Sequence, residues 1–197
     1  MSAASFLVTD PVEHHDALLT LNIEYMGWVF QEIERTFGRS AHDLIGMSVP
    51  EYVAGNFLKV CGERPPQGIF YLIEAEDNIA GMCGLRFLRP GLAEIKRLYV
   101  RPAYRGRKLG QLALERLLAD ASRFGYERVC LDTGPFMGAA HRLYEAQGFV
   151  DCAAYEGVEV PAEFHHCWRF MERAVPPFPL IEKTTARTLP NESASSP

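Results

Sequence analysis

Residues 93–132 constrain the fold more than any other stretch. An apolar, strand-like run from Ala93 to Val100 is stopped by Arg101-Pro102. A helical period then carries Leu109, Leu112, Ala113, Leu117, Ala121 and Phe124 to Gly125, and a second strand-like run spans Arg128 to Asp132. Strand, helix and strand at this length form a parallel crossover, because a two-residue turn can join only antiparallel strands. On the N-terminal side, Ile69 to Glu74 and Ile79 to Leu88 flank an Asp77-Asn78 turn, and Pro90-Gly91 turns the chain again into the Ala93 run. These three strands pair antiparallel. Beyond the crossover, Ala139, Ala140, Leu143 and Tyr144 mark a helix that stops at Gly148, and Phe149 to Tyr155 and His166 to Arg173 pair as closing strands.

Two helices precede the sheet. Asp10-Pro11-Val12-Glu13 has the order of a capped helix start. Leu18, Leu21, Tyr25, Val29 and Ile33 then form an apolar stripe that ends at Gly38. Ser48-Val49-Pro50-Glu51 repeats the signature and opens a shorter helix to about Val60, ended by Gly62 and Pro65-Pro66. The chain of 197 residues has the size of one domain, expected over 5–175, and the Pro-, Ser- and Thr-rich residues 176–197 read as a disordered tail.

No apolar run approaches the length of a membrane span, and the N-terminus lacks the basic and apolar segments of a secretory signal, so a cytoplasmic chain without membrane contact is expected. Cys61, Cys83, Cys130, Cys152 and Cys167 have neither disulfide nor zinc spacing. They read as reduced thiols. His165 and Cys167 share a strand face, but further ligands are missing, so no metal is expected. A net charge of −5 argues against a nucleic-acid partner.

Against that acidic background, Lys96, Arg97, Arg101, Arg105, Arg107 and Lys108 form a basic island where a strand feeds a glycine-bearing turn and a helix begins. Backbone N–H groups at a helix N-terminus lack intrahelical partners and lie at the positive end of the dipole. Such a turn suits a polyanion with several phosphates. A solvated surface loop is the other reading of the same residues. The glycine fingerprints of dinucleotide and nucleoside-triphosphate loops are absent.

Arg105-Gly106-Arg107-Lys108-Leu109-Gly110, followed about thirty residues later by Leu143-Tyr144-Glu145-Ala146-Gln147-Gly148-Phe149, resembles the GNAT acetyltransferase superfamily from about Ile69 to Phe149. The resemblance implies an α/β fold: a mixed, mostly antiparallel sheet of about seven strands flanked by helices. It implies acetyl-CoA as cosubstrate, no metal, and direct transfer of the acetyl group to a primary amine of a small molecule or peptide in a ternary complex. Residues 105–110 and Gln111 would hold the pyrophosphate, and the backbone of Leu98, Tyr99 and Val100 would pair with the pantetheine arm. Tyr144 would protonate the leaving thiolate; a core tyrosine is the alternative. Glu94 would serve as base, or else as a surface glutamate paired with Lys96 or Arg86. His141, one turn from Tyr144, is a further candidate for proton transfer. Lys108 replaces the first glycine of the family's loop, which is harmless provided the position needs no positive φ. Met137 stands where many members have an asparagine that contacts the arm.

The acceptor would lie between the first helices and the loop around Glu156 to Phe164, where Glu156, Glu159 and Glu163 would favour a cation. A noncatalytic acyl-CoA-binding module and a protein-interaction domain are the competing functions. A homodimer stays open.

Overall fold

The computed structural model describes residues 4–178; the remainder of the expected tail, 179–197, lies outside the described residues. A short strand β1 (Ser5–Val8) comes first, pairing antiparallel with β2 (Ile69–Ala75). Four residues carry too little alternation to announce it. The long helix α1 (His15–Phe37) begins later than the capping signature suggests. Asp10 Oδ1 accepts hydrogen bonds from the N–H groups of Val12, at 2.7 Å, and Glu13, at 3.2 Å, so the cap serves a turn before the helix. Gly38, at φ 67°, ends α1 with its N–H on the Glu34 carbonyl.

A brief α2 (Ala41–Ile45) follows, which periodicity is too short to reveal. The next helix, α3 (Val49–Cys61), starts as read: Glu51 N–H donates to Ser48 Oγ at 3.4 Å and Ser48 N–H to Glu51 Oε2 at 2.9 Å. This reciprocal box satisfies two donors that have no partner inside the helix.

The seven-stranded sheet has the order β1-β2-β3-β4-β5-β7-β6. β2 and β3 (Asn78–Arg89) close through Glu76 and Asp77, both at positive φ, with Ala75 opposite Asn78. The hairpin turn therefore lies one residue earlier than Asp77-Asn78, in the two-residue form that matches strand twist. Antiparallel pairing continues from β3 to β4 (Leu92–Val100), and α4 (Leu109–Arg123) crosses over to β5 (Arg128–Thr133), which runs parallel to β4. After α5 (Gly138–Ala146), β6 is only Val150–Asp151, and it pairs with β7 (Arg169–Ala174). The expected closing strands are shorter than read. Trp168 N–H bonds back to the Phe164 carbonyl at 2.9 Å, so the chain is still turning where His166 was expected to begin a strand.

Helices cover both faces of the sheet. α4 has no β-branched residue and buries Leu114 and Leu117 completely against Tyr71, Ile73, Ile95 and Val129. Each leucine contributes about 1.5–3 kcal/mol by leaving water. On the opposite face, Leu18 and Leu21 of α1 and Phe57 of α3 pack against Phe70, Leu72 and Met82. Among the described residues no helix is long and apolar enough to cross a membrane.

Candidate active site

β4 and β5 are paired only from Leu92/Arg128 to Glu94/Cys130. Past that point β4 stays with β3 as far as Val100, while β5 stays with β7 as far as Thr133. The two parallel strands diverge and leave the β5-facing edge of β4 open. The divergence coincides with a bulge: the β3–β4 register shifts between Met82 and Gly84, and Arg97 sits at φ 55°. A cavity of about 540 Å³ occupies the opening. Leu98, Tyr99 and Val100 form one wall, and Met137, Ala140, Leu143 and Tyr144 of the α5 region form the other.

One end of this groove meets the start of α4. Arg105, Gly106, Lys108, Leu109, Gly110 and Gln111 line it there. Gly106, at φ 79°, carries the turn, and Arg105 Nε donates to the Val100 carbonyl at 3.0 Å. Arg107 is the exception. It pairs with Glu76 at 2.7 Å, stacks over the Tyr104 ring at 5.4 Å, and does not line the groove. The β2–β3 turn presents that carboxylate, and local spacing carries no sign of it. Lys108 does need positive φ: it is the N-cap of α4 at φ 61°, ψ 11°. The proviso on this departure from the family pattern therefore fails, and the loop holds a side chain where glycine is unstrained.

Tyr144 lies 6% exposed on the groove wall, its ring 5.7 Å from that of Phe149. Its hydroxyl makes no hydrogen bond with another described residue. Burial, reinforced by Tyr25 and Asp132, raises its pKa well above the usual 10.0, so it is a proton donor at neutral pH. His141 is tied through a ring nitrogen to the Gly134 carbonyl at 3.0 Å, and burial lowers its pKa.

Glu94 is not brought to the groove. It is fully buried, directly opposite Arg86 in the β3–β4 register, and accepts hydrogen bonds from the Arg86 guanidinium, from Tyr155 at 2.7 Å and from Lys96 at 3.5 Å. The alternative reading was a surface glutamate paired with Lys96 or Arg86; Glu94 bonds both, and does so in the interior. Glu159 closes the same network, 3.1 Å from Lys96, 3.2 Å from Arg86 and 3.0 Å from Lys59. Burial would raise its pKa, yet Lys96, Arg97, Lys59 and Arg86 together hold it far below the usual carboxylate range.

A second cavity, of about 110 Å³, opens beside the first between α1, α2 and the β6–β7 loop. Tyr25, Arg97, Asp132 and Met137 line both cavities, so the two spaces meet at those residues. The location matches the expected acceptor region, but the expected acidic character does not hold. Glu159 is neutralised as described, Glu163 pairs with Arg39 at 3.0 Å, and Glu156 faces a different hollow. Asp132 was read only as a strand end. Its Oδ1 accepts from Trp168 Nε1 at 3.0 Å, and its Oδ2 lies 3.9 Å from Lys96 Nζ. A carboxylate at the C-terminal end of a strand that parts from its parallel neighbour was the available signal, because ligands gather where such strands diverge.

Burial pushes the thiols of Cys83 and Cys130 up and out of the reactive range, and that of Cys61 up to about 11. Among the described residues no group of three or more His, Cys, Asp or Glu side chains is placed to hold a metal.

Residues 30–149 match the model of the acetyltransferase (GNAT) family. An uncharacterised N-acetyltransferase of Schizosaccharomyces pombe is 35% identical over 133 residues, 66% of this chain and 78% of that protein. The crystal structure of an acetyltransferase from Streptococcus agalactiae superposes with a TM-score of 0.64 at 21% identity, over 88% of this chain and 99% of the other. An acetyltransferase of Salmonella typhimurium, solved with its cofactor acetyl-CoA, superposes with a TM-score of 0.58 at 18% identity, over 92% and 99%. The divergent β4 and β5, the basic turn into α4 and the family match over most of the sheet agree, and the chain belongs to the GNAT acetyltransferase family.

Proposed function

We propose that the protein transfers the acetyl group of acetyl-CoA to a primary amine by direct attack, with both substrates bound. The observation that carries this reading is the pair of cavities that meet at Tyr25, Arg97, Asp132 and Met137, one running along the open edge of β4 past Tyr144 to the start of α4, the other extending between α1, α2 and the β6–β7 loop. A module that only sensed the cofactor would have no use for the second space.

The residues fit the cosubstrate. The N–H groups of the first turn of α4, together with Arg105 and Lys108, suit its phosphates. The open backbone of Leu98 to Val100 suits the amides of its arm, as an added strand would. Met137 supplies no amide there, so that contact falls to the backbone. Once bound, acetyl-CoA supplies an activated acyl thioester. The Tyr144 hydroxyl holds a proton beside the open edge and delivers it to the leaving sulfur. Asp132, where the cavities meet, takes a proton from the acceptor ammonium. Glu94 becomes a positioning residue: it fixes Arg86, Lys96 and Tyr155, and through Lys96 it sets the charge beside Asp132. The ammonium loses two protons as the C–N bond forms, the sulfur regains one as the C–S bond breaks, and one is released.

The test is a coenzyme A titration followed by thermal melting, with amine-dependent thiol release from acetyl-CoA. Arg105→Ala is expected to weaken coenzyme A binding by about tenfold, the loss of one charge-assisted contact. Arg107→Ala, which loses its pairing with Glu76 and its stacking on Tyr104 outside the groove, should change it less than threefold. Absence of any coenzyme A protection at millimolar concentration refutes the reading.

A further inference from the structure

We infer that the acceptor is a free amino acid, or a close analogue, whose primary amine sits beside a carboxylate and an apolar side chain, and that Arg97 is the group that binds the carboxylate. This deepens the proposed acyl transfer and rests on it.

The argument begins with the charges at the mouth of the smaller cavity. Lys96, Arg97, Asp132 and Glu159 are the ionisable side chains that line it, apart from the Tyr25 and Tyr52 phenols. Lys96 is shared by Glu94, Glu159 and Asp132 at 3.5, 3.1 and 3.9 Å. Glu159 is held by Lys59, Arg86 and Lys96. Arg97 differs. Its Nε donates to Oδ1 of the buried Asn22 at 3.2 Å, and its guanidinium lies 5.6 Å from the Tyr25 ring centre. Its two terminal nitrogens make no hydrogen bond or ion pair with any described residue. Asn22 thus anchors one side of the fork and leaves the other for a ligand. A planar guanidinium whose two terminal nitrogens are free is the side chain best matched to a carboxylate.

The backbone is bent to achieve this. In a regular strand, consecutive residues face opposite sides of the sheet, and Arg97 would point away from Lys96. The bulge at φ 55° brings both to the same cavity. A positive φ costs a residue with a Cβ about 1–2 kcal/mol, so the conformation is held against its own preference.

Behind this charged mouth the walls are Met26, Val29, Phe30, Ile33, Phe164 and Trp168. The volume of about 110 Å³ is comparable to the ~150 Å³ of an apolar cavity that accepts a benzene ring. A second ammonium placed there would lose its water without gaining a partner, which disfavours polyamines and extended lysine-bearing peptides. Arg97 and Asp132 both stand where the two cavities meet, so a molecule with its carboxylate on Arg97 and its side chain in the apolar space presents its amine at the groove beside Asp132.

The experiment compares phenylalanine, leucine and methionine with their decarboxylated amines, with spermidine and with a lysine-containing peptide, by thiol release under saturating acetyl-CoA. Calorimetry on the coenzyme A-loaded protein measures phenylalanine binding independently of turnover. The expected result is a KM at least tenfold lower for phenylalanine than for phenethylamine, and the same order in calorimetry. In Arg97→Ala that ratio should collapse toward one, and Arg97→Lys should restore part of it. Equal KM values for phenylalanine and phenethylamine in the wild-type protein overturn the inference, as does preference for spermidine or the peptide. Coenzyme A binding without acetylation of any amino acid also overturns it and leaves the cofactor site standing. Loss of coenzyme A binding itself would instead remove the proposed acyl transfer. The wild-type comparison decides the matter even if the Arg97 variants fail to fold.

Discussion

Replacing Tyr144 by phenylalanine separates chemistry from packing, because the structure fixes what the hydroxyl does for stability. The ring is 6% exposed and packs 5.7 Å from Phe149, and phenylalanine fills the same volume. No described residue bonds to the hydroxyl, so the variant leaves no orphaned partner and the usual penalty of about 1–3 kcal/mol does not arise. Stability should therefore change by no more than about 0.5 kcal/mol, a shift of about 1–2 °C in Tm for a chain of this size. If the hydroxyl protonates the departing sulfur, turnover should fall by about a hundredfold to ten-thousandfold, equivalent to about 2.7–5.4 kcal/mol in the barrier.

The affinity for coenzyme A should barely move. The pH behaviour follows from the same geometry. A general acid works while protonated, and burial raises the pKa of Tyr144 above 10.0. Loss of the acid form is thus displaced to higher pH, and turnover should show no alkaline decline attributable to this residue below about pH 10. Thiol release at saturating substrates, a coenzyme A titration and a thermal melt on one preparation measure all three quantities. A variant that is destabilised by more than 1 kcal/mol yet turns over normally per folded molecule would refute the reasoning.

Two further outcomes concern the frame around the site. Lys108→Gly relieves the left-handed conformation, about 1–2 kcal/mol, and gives back about 0.5–1 kcal/mol of chain entropy, so Tm should rise by about 1–4 °C; an unchanged or lower Tm would show that no strain is stored there. The depressed pKa of Glu159 means that, in the native state, it stays ionised well below its ordinary 4.5, and the unfolded chain binds more protons as pH falls through that value. Its contribution is present above about pH 4.5 and is lost on acidification, so Glu159→Gln should cost about 3–5 kcal/mol at pH 7 and progressively less below pH 4.5; a gap independent of pH in denaturant melts would remove the ion pair from the account.

Which features were legible follows from the range of the interactions that create them. The Ser48–Glu51 box closes over three residues, and the helix-ending Gly125 acts at a single φ, so both can be read from adjacent letters. The Asp10 cap misplaces the start of α1 because one local hydrogen-bond pattern serves a turn or a helix equally well. Glu94 shows how far the local reading reaches. The Pro90-Gly91 turn sets Arg89 against Leu92, and a regular ladder from there would put Arg86 opposite Ile95; a register shift between Phe87 and Arg89 puts it opposite Glu94 instead. Nothing local reveals that shift, nor that Tyr155 and Glu159 arrive from the β6–β7 loop to complete the enclosure. Arg107 is turned to Glu76 by the same kind of distant meeting.

The site itself is written in departures from local rules. Among the described residues four non-glycine positions hold a positive φ. Glu76 and Asp77 are explained by the two-residue hairpin they form, which demands that conformation. Arg97 and Lys108 have no such turn to serve, and both line the groove. One bends β4 where it leaves β5 and turns a guanidinium into the cavity mouth. The other caps α4 where its N–H groups face the groove. Strain of this kind persists only where the surroundings over-determine it, and it gathers where a fold is put to use. A periodicity reading assigns Arg97 to the wrong face, and a motif reading treats Lys108 as a tolerable substitution. Both fail for one reason: each assumes the unstrained backbone, and at these two positions the chain gives up that backbone, once to turn a guanidinium toward the smaller cavity and once to open α4 onto the groove.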